Sequence, residues 1–225
     1  MVRSLRNFEI DGIFLQVYDE HSSLSADWVA WELRRDDYRV RDIHFEEGDV
    51  VVDIGAHIGL FSIYLAKRWP GIKVIAFEPF PINFGNCRDN LLLNGVTSVV
   101  LSSKAISSDE RLLNMAMDPR NSGGASAVVR GPDREQHAIE LESITLDRVF
   151  AAQNIRRCKL LKIDCEGMEY EILLGCRSLA QVEYVTGEFH ASPYLANIGY
   201  QPERLVTYCS SIFKRDKMTI RFNVI

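Results

Sequence analysis

Two things this chain lacks narrow its function before any motif is read: grouped cysteines and a long apolar run. Its five cysteines (Cys87, Cys158, Cys165, Cys176 and Cys209) are odd in number, scattered and free of any CxxC pair, so neither a disulfide framework nor a zinc site is signalled. Reduced thiols packed as small apolar residues are the expectation. Arg6, Glu9 and Asp11 interrupt the N-terminal stretch before it reaches signal-peptide length, and no later stretch comes near a membrane span. A soluble, cytoplasmic protein without a membrane partner is expected. Excess positive charge is missing too: 26 Lys and Arg against 31 Asp and Glu give a net charge of -5, which argues against a nucleic-acid partner. The Asn/Asp-Pro-Pro-aromatic segment that would hold a flipped base is also absent. There is no internal repeat and no low-complexity linker. What remains, 225 residues at 47% hydrophobic, suffices for one substantial core. One domain over 1–225 is expected, with 1–45 as an N-terminal helical cap or substrate-side segment.

The middle of the chain alternates short apolar runs with amphipathic stretches, the pattern of a parallel sheet with crossover helices. "DVVVDIG", "KVIAFEP", "SVVLSS", "CKLLKID" and "VEYVTGEFH" read as strands. "GLFSIYLAKRW", with Leu60, Ile63 and Tyr64 on one face, "PINFGNCRDNLLLNG", stopped by Asn94 and Gly95, "TLDRVFAAQN" and "GMEYEILLG" read as helices. Residues 111–144 break the pattern: "RLLNMAM" and "QHAIELESI" flank a glycine-rich loop and predict an inserted β-hairpin with a mobile connection. "DWVAWELRRD" predicts a helix in the otherwise obscure first forty residues. The tail predicts a helix and a terminal strand or hairpin.

A strand ending in a carboxylate, then a glycine turn, then a helix offers free backbone N–H groups to a ligand. Asp53 to Gly59 has that form, but a dinucleotide site has G-x-G-x-x-G, and here Gly55, Ala56, His57, Ile58, Gly59 puts a side chain where a pyrophosphate would lie. S-adenosylmethionine carries no phosphate and escapes the objection. Asp53 would then face the ligand's ammonium, directly or through water, and His57 would line the methionine end. Glu78, nineteen residues after Gly59, stands where an acid accepts both ribose hydroxyls. Pro79 would end the strand and fix that carboxylate. Adenine would rest near Ser103, Lys104 and Ala105.

With "VVDIGAHIGLFS", "AFEPFPINF", "NLLLNG", "ITLDRV" and above all "LLKIDCEGMEYEILLG", the sequence resembles the FkbM-type family of class I S-adenosylmethionine-dependent methyltransferases. The resemblance implies a doubly wound, mainly parallel seven-stranded Rossmann-like α/β sheet with helices on both faces. It also implies methyl transfer, usually to oxygen, on a sugar or other secondary metabolite. Its cofactor role carries over to Asp53, Gly55, Gly59 and Glu78. Substrate choice is expected in the first forty residues and in the loop from 118 to 135, which match nothing.

Ligands of open α/β sheets sit beyond the carboxyl ends of the strands, which makes "KIDCEG" and "GEFH" the candidates for chemistry. Asp164 and Glu166 fall at a strand end, Gly167 allows a sharp turn, and Lys162 shares a side with Asp164 and can hold the carboxylates or a substrate oxygen. Glu166 or Glu169 can instead favour the helix N-terminus. Glu188 and His190 share a face by strand periodicity, and His190 has an ordinary pKa suited to a general base. Asp164 with Glu188 or His190 can converge on a divalent cation, but no dense Asp/Asn cluster follows the last of these strands, and no metal ligand is assigned. His21, His44 and His137 read as surface or packing residues. The expected activity is O-methylation of a small molecule. N-methylation, a nicotinamide-dependent dehydrogenase and a non-catalytic cofactor-binding module are the alternatives, and a homo-oligomer is left open.

Overall fold

The computed structural model describes residues 2–118, 121–126 and 138–224. His137 and much of the 118–135 connection lie outside the described residues. The strands are β1 (Arg3–Ile10), β2 (Ile13–Glu20), β3 (Val50–Ile54), β4 (Lys73–Phe77), β5 (Val99–Ser102), β6 (Ala105–Ser107), β7 (Leu113–Asp118), β8 (Asn121–Ser126), β9 (Ile139–Leu141), β10 (Ser143–Thr145), β11 (Cys158–Ile163), β12 (Val182–Ala191) and β13 (Met218–Val224). The helices are α1 (Ser25–Arg35), α2 (Leu60–Arg68), α3 (Pro81–Leu93), α4 (Leu146–Ala152), α5 (Glu169–Gly175), α6 (Pro193–Asn197) and α7 (Pro202–Ile212).

The main sheet runs β13-β12-β11-β3-β4-β5 and every pairing in it is parallel. It has six strands among the described residues, not the seven that the resemblance implied. The chain after β12 supplies only one further strand to this sheet, and the helical crossover α7 returns it in the parallel sense. The order reverses between β3 and β11, so the carboxyl ends of these two strands frame the crevice. β3 and β11 are buried along nearly their whole length, as central parallel strands must be. Two apolar cores lie against the sheet, one led by Val52, Leu161 and Phe189, the other by Val51, Leu160 and Ile63.

Between β5 and α4, β6 pairs in parallel with β10, and β7 pairs antiparallel with β9 and with β8. Asn121–Ser126, which the sequence reads as connection, is thus a strand. Thr145 caps α4 by accepting the Arg148 N–H.

The first forty residues begin with a hairpin, absent from the sequence-based reading. Its two-residue turn is Asp11-Gly12, both at positive φ (52° and 75°), the primed geometry that Asp-Gly favours. The hairpin and α1 cover the outer side of α2, so every residue from Leu60 to Ala66 is buried rather than one face alone. The Tyr64 hydroxyl donates to Asp11 at 2.6 Å. α3 then satisfies one edge of β2 with side chains: Asn90 accepts the Tyr18 N–H at 2.6 Å and donates to the Tyr18 carbonyl at 3.0 Å. Asn94, one turn on, treats Gln16 the same way. Two amides at i and i+4 on a helix here mimic the neighbouring strand that this edge would otherwise lack.

Candidate active site

A cleft of about 1240 Å³, counting the part open to solvent, lies beyond the carboxyl ends of β3, β4, β11 and β12. Gly55, Ala56, His57, Glu78, Pro79, Ala105, Lys162, Asp164, Cys165, Glu166 and Glu188 line it. Asp53, Gly59, Lys104 and His190 do not, and each has a different task.

On the β3–β4 side the backbone does the positioning. Gly55 is at φ 78°, and a Cβ there would stand 1.8 Å from the Asp164 carbonyl oxygen, so the turn passes the end of β11 at a distance only glycine permits. Gly59 opens α2 at φ 86°, and a Cβ would come 2.7 Å from the Cys87 sulfur; it serves the packing of α2 on α3, not the ligand. His57 also takes a left-handed φ of 52°, which costs energy in a residue with a side chain. Its N–H donates to Glu78 Oε2 at 2.8 Å, while the Phe80 N–H donates to Oε1 at 3.0 Å. Asn83 supplies a further side-chain hydrogen bond, and the carboxylate, with about four acceptor positions, keeps one for a ligand hydroxyl. Burial pushes the Glu78 carboxyl up to about 7, with the two amides and Asn83 opposing. Burial, aided by Lys162, holds the His57 imidazole down at about 4 against the pull of Asp19.

Asp53 is fully buried behind this wall. Lys162 is its register partner on β11, and the ammonium lies 3.3 Å from the carboxylate, which also accepts the Ser62 hydroxyl at 2.6 Å. The sequence-based expectation put Asp53 against a ligand ammonium, directly or through water; its carboxylate faces Lys162 and does not line the cleft. Lys162 in turn donates to the Gly55 carbonyl at 2.8 Å and lies 3.8 Å from Asp164. Burial pulls its pKa down, but the two aspartates hold it above the ordinary lysine value. It ties the glycine turn to β11, and its charge is already matched without a substrate oxygen. Lys104 turns away to Glu142 at 3.1 Å, leaving Ala105 as the part of that segment facing the cleft.

The β11–β12 side is organised by charge. Glu166 sits at φ 56° and Gly167 at φ 105° in the turn leaving β11. Glu169, wholly buried at the start of α5, holds that turn by accepting the Cys165 N–H at 2.9 Å and the Gly167 N–H at 3.0 Å. It also meets His190 Nδ1 at 2.9 Å. His190 is fully buried, with Nε2 3.5 Å from Glu188 and 3.8 Å from Glu166. Burial disfavours its charge, yet Glu169 and Glu188 raise it to about 11. His190 is buried behind the cleft lining between Glu169 and Glu188, whereas the sequence-based expectation had it open to an acceptor as general base. Asp164, Glu166 and Glu188 face the cleft instead, and their atoms together with His190 Nε2 form a cluster in which Asp164, Glu188 and His190 each place one ligand atom within 4.8 Å of the others. Burial pushes Glu166 up to about 7 despite His190, and raises Asp164 against Lys162 and His190. His190, with Nε2 at 3.5 Å, holds Glu188 below the ordinary value.

The third wall comes from the N-terminal segment that the sequence marked as helical cap or substrate side, though no residue of it was singled out. Ser25, Trp28, Val29 and Glu32 of α1, with Tyr38 beyond it, complete the cleft. The Tyr38 hydroxyl donates to Glu32 at 2.7 Å, and Arg221 of β13 lies 2.6 Å from the same carboxylate. Trp28 and Trp31 pack edge to face and stay exposed; two exposed tryptophans three apart on a helix were the available signal. His21 bonds Ser4 at the surface and His44 is exposed, as surface residues. No described helix is long and apolar enough to cross a membrane.

Comparison with known proteins adds the family. Residues 53–211 match the model of the methyltransferase FkbM domain. The chain is 28% identical over 183 residues, 68% of its length and 70% of the relative's, to the 31-O-demethyl-FK506 methyltransferase FkbM of Streptomyces tacrolimicus. It is 30% identical over 203 residues, 73% of this chain and 10% of the relative, to the AMB antimetabolite synthetase AmbE of Pseudomonas aeruginosa. Identity to Methyltransferase 1 of Beauveria bassiana is 25% over 148 residues, and there the chain spans 59% of the relative's length. Among solved structures, precorrin-6y C5,15-methyltransferase of Geobacter metallireducens superposes at a TM-score of 0.47 and 14% identity, covering 80% of this chain and 70% of that one. With a glycine turn, a strand-end carboxylate and an acidic strand pair inside the matched segment, the chain belongs to the FkbM methyltransferase family.

Proposed function

We propose that this chain is an S-adenosylmethionine-dependent methyltransferase acting on a hydroxyl of a small molecule such as a sugar or secondary metabolite. The observation that carries the reading is Glu78: a buried carboxylate at the end of β4, fixed by two backbone N–H groups and Asn83, that lines the cleft with acceptor capacity left. A ribose hydroxyl fits that acceptor. The crowding of the turn by His57 suits a nucleoside without a pyrophosphate and speaks against a nicotinamide cofactor.

Bound there, S-adenosylmethionine supplies an electrophilic methyl on a good leaving group. The chain's own part is to align and to take up a proton. Gly55, Ala56 and His57 give a backbone wall, and Ala105, Ile106 and Phe77 give an apolar one. α1 closes the acceptor side with Trp28 and Val29, which cover an apolar or sugar-ring face, while Glu32 and Tyr38 offer polar atoms. Asp164 and Glu166 face the same space from β11 and can accept the hydroxyl proton as the oxygen–methyl bond forms. Much of the rate comes from holding nucleophile and methyl in line. By its name the Streptomyces relative methylates 31-O-demethyl-FK506, which supports oxygen as nucleophile.

Isothermal titration with S-adenosylhomocysteine tests the cofactor step. Saturable binding to the native chain, lost in Glu78→Ala, is the expected result, and no binding to the native chain would end the proposal. Methyl transfer to a panel of polyhydroxylated acceptors, reduced in Trp28→Ala through KM, tests the acceptor wall.

A further inference from the structure

We propose that Asp164, Glu188 and His190 form a binding site for one divalent cation of the manganese or magnesium type at the base of the acceptor side. The inference rests on the proposed methyltransferase reading for what the cation does, but not for its binding.

Three observations converge. The first is the ligand set itself. One carboxylate oxygen from each of Asp164 and Glu188 and a ring nitrogen of His190 lie within 4.8 Å of one another, and His190 Nε2 and Glu188 Oε2 are already 3.5 Å apart. Ligands at right angles around a cation at about 2.1–2.2 Å stand about 3 Å apart. The remaining approach falls to Asp164, whose side chain is 24% exposed and is gripped only by the more distant Lys162. The second is an orphan: His190 is fully buried, yet Nε2 has no hydrogen-bond partner. A buried polar atom without a partner is costly, and this one points at two cleft-lining carboxylates, Glu188 and Glu166.

The third is the other ring nitrogen. Nδ1 lies 2.9 Å from Glu169, which is itself fixed by two backbone N–H groups. A carboxylate behind a histidine is the arrangement that sets the tautomer and orients the distal nitrogen towards a metal. Glu169 is too deep to touch any ligand and has the place of such an orienting group.

Two carboxylates and one imidazole suit a hard to intermediate divalent ion, which displaces the Nε2 proton to solvent while Nδ1–H stays on Glu169, and the open side towards the cleft leaves positions for water and an acceptor oxygen. A cation held there supplies positive charge beside an acceptor hydroxyl and eases loss of its proton. Glu166, adjacent and outside the ligand set, is then placed to receive it.

The test is titration of Mn2+ into the chain without cofactor, followed by calorimetry and electron paramagnetic resonance. One ion per chain is expected, displaced by excess Mg2+, with a nitrogen coupling from His190 in the pulsed spectrum. Glu188→Gln and Asp164→Asn should each weaken binding at least about tenfold, while Asp42→Asn, at an exposed acid outside the cleft lining, should not. His190→Gln should abolish the nitrogen coupling; if that variant does not fold, the native spectrum alone decides. Absence of saturable binding, equal affinity in the cleft variants and the native chain, or a native spectrum without nitrogen coupling would each overturn the site. Because no cofactor enters, this failure is separate from failure to bind S-adenosylhomocysteine.

Discussion

The two long walls of the cleft hold their carboxylates by opposite means. On the β3–β4 wall, Glu78 is fixed by neutral backbone donors, and the nearest charge pair, Asp53 with Lys162, is buried behind it. On the β11–β12 wall, four acids (Asp164, Glu166, Glu169 and Glu188) surround one buried histidine. The first arrangement gives a shaped acceptor pair that does not depend on another side chain's protonation. The second holds like charges together only because His190 sits among them, so that wall is the one that reacts to a change of charge.

The sharpest way to break the comparison is Glu169→Gln. It leaves the turn N–H groups an amide oxygen but removes the buried negative partner of His190, and should cost on the order of 3–5 kcal/mol in denaturant unfolding. A loss under about 1 kcal/mol would mean that charge does not organise this wall.

Gly55→Ala attacks the other wall through its backbone. With a Cβ 1.8 Å from a carbonyl oxygen and a positive φ, the substitution should destabilise by about 3 kcal/mol and shift the end of β11. A crystal structure of a stable variant with Asp164 unmoved would contradict the close approach.

Glu78→Ala is expected to fold, while losing S-adenosylhomocysteine affinity by at least about tenfold, the worth of one hydrogen bond to a charged acceptor. An isotherm unchanged by the substitution would remove Glu78 from the site.

The smallest effect is on pH. Burial raises the folded-state pKa of Glu78 from the ordinary 4.5 to about 7, so between those values the folded chain binds a proton that the unfolded chain has released. Its contribution to stability is therefore most favourable at low pH and declines as pH rises towards 7. Ribose hydroxyls need the ionised carboxylate as acceptor, so cofactor affinity should move the other way, about tenfold weaker at pH 6 than at pH 8. Flat affinity across this range would show that Glu78 is ionised throughout.

Particular residues show why some of this was legible and some was not. Gly55, Gly59 and Glu78 announce themselves because strand, turn and helix place them at fixed offsets, and those offsets are local. Asp53 looked like a ligand contact because its partner is not local: Lys162 is more than a hundred residues on, and only the β3–β11 register sets the two side by side. His190 was read from strand periodicity as facing the cleft with Glu188. That alternation brings both to the same cluster, but Glu169, on a different element, draws the imidazole inward. The hairpin at Asp11-Gly12 was readable from its turn residues, and the flanking charges at Arg6 and Glu9 obscured it because one face of β1 is solvated.

By itself, the sequence determined the α/β order of elements, the glycine turn and the strand-end acid, since hydrophobic period and turn chemistry act over a few residues. Tertiary structure alone decided which carboxylate opens on the cleft, which charge is matched behind it, and which side chains of α1 form the third wall. Those outcomes depend on strand register and on packing between segments far apart in the chain, where burial fixes the partner of each charge.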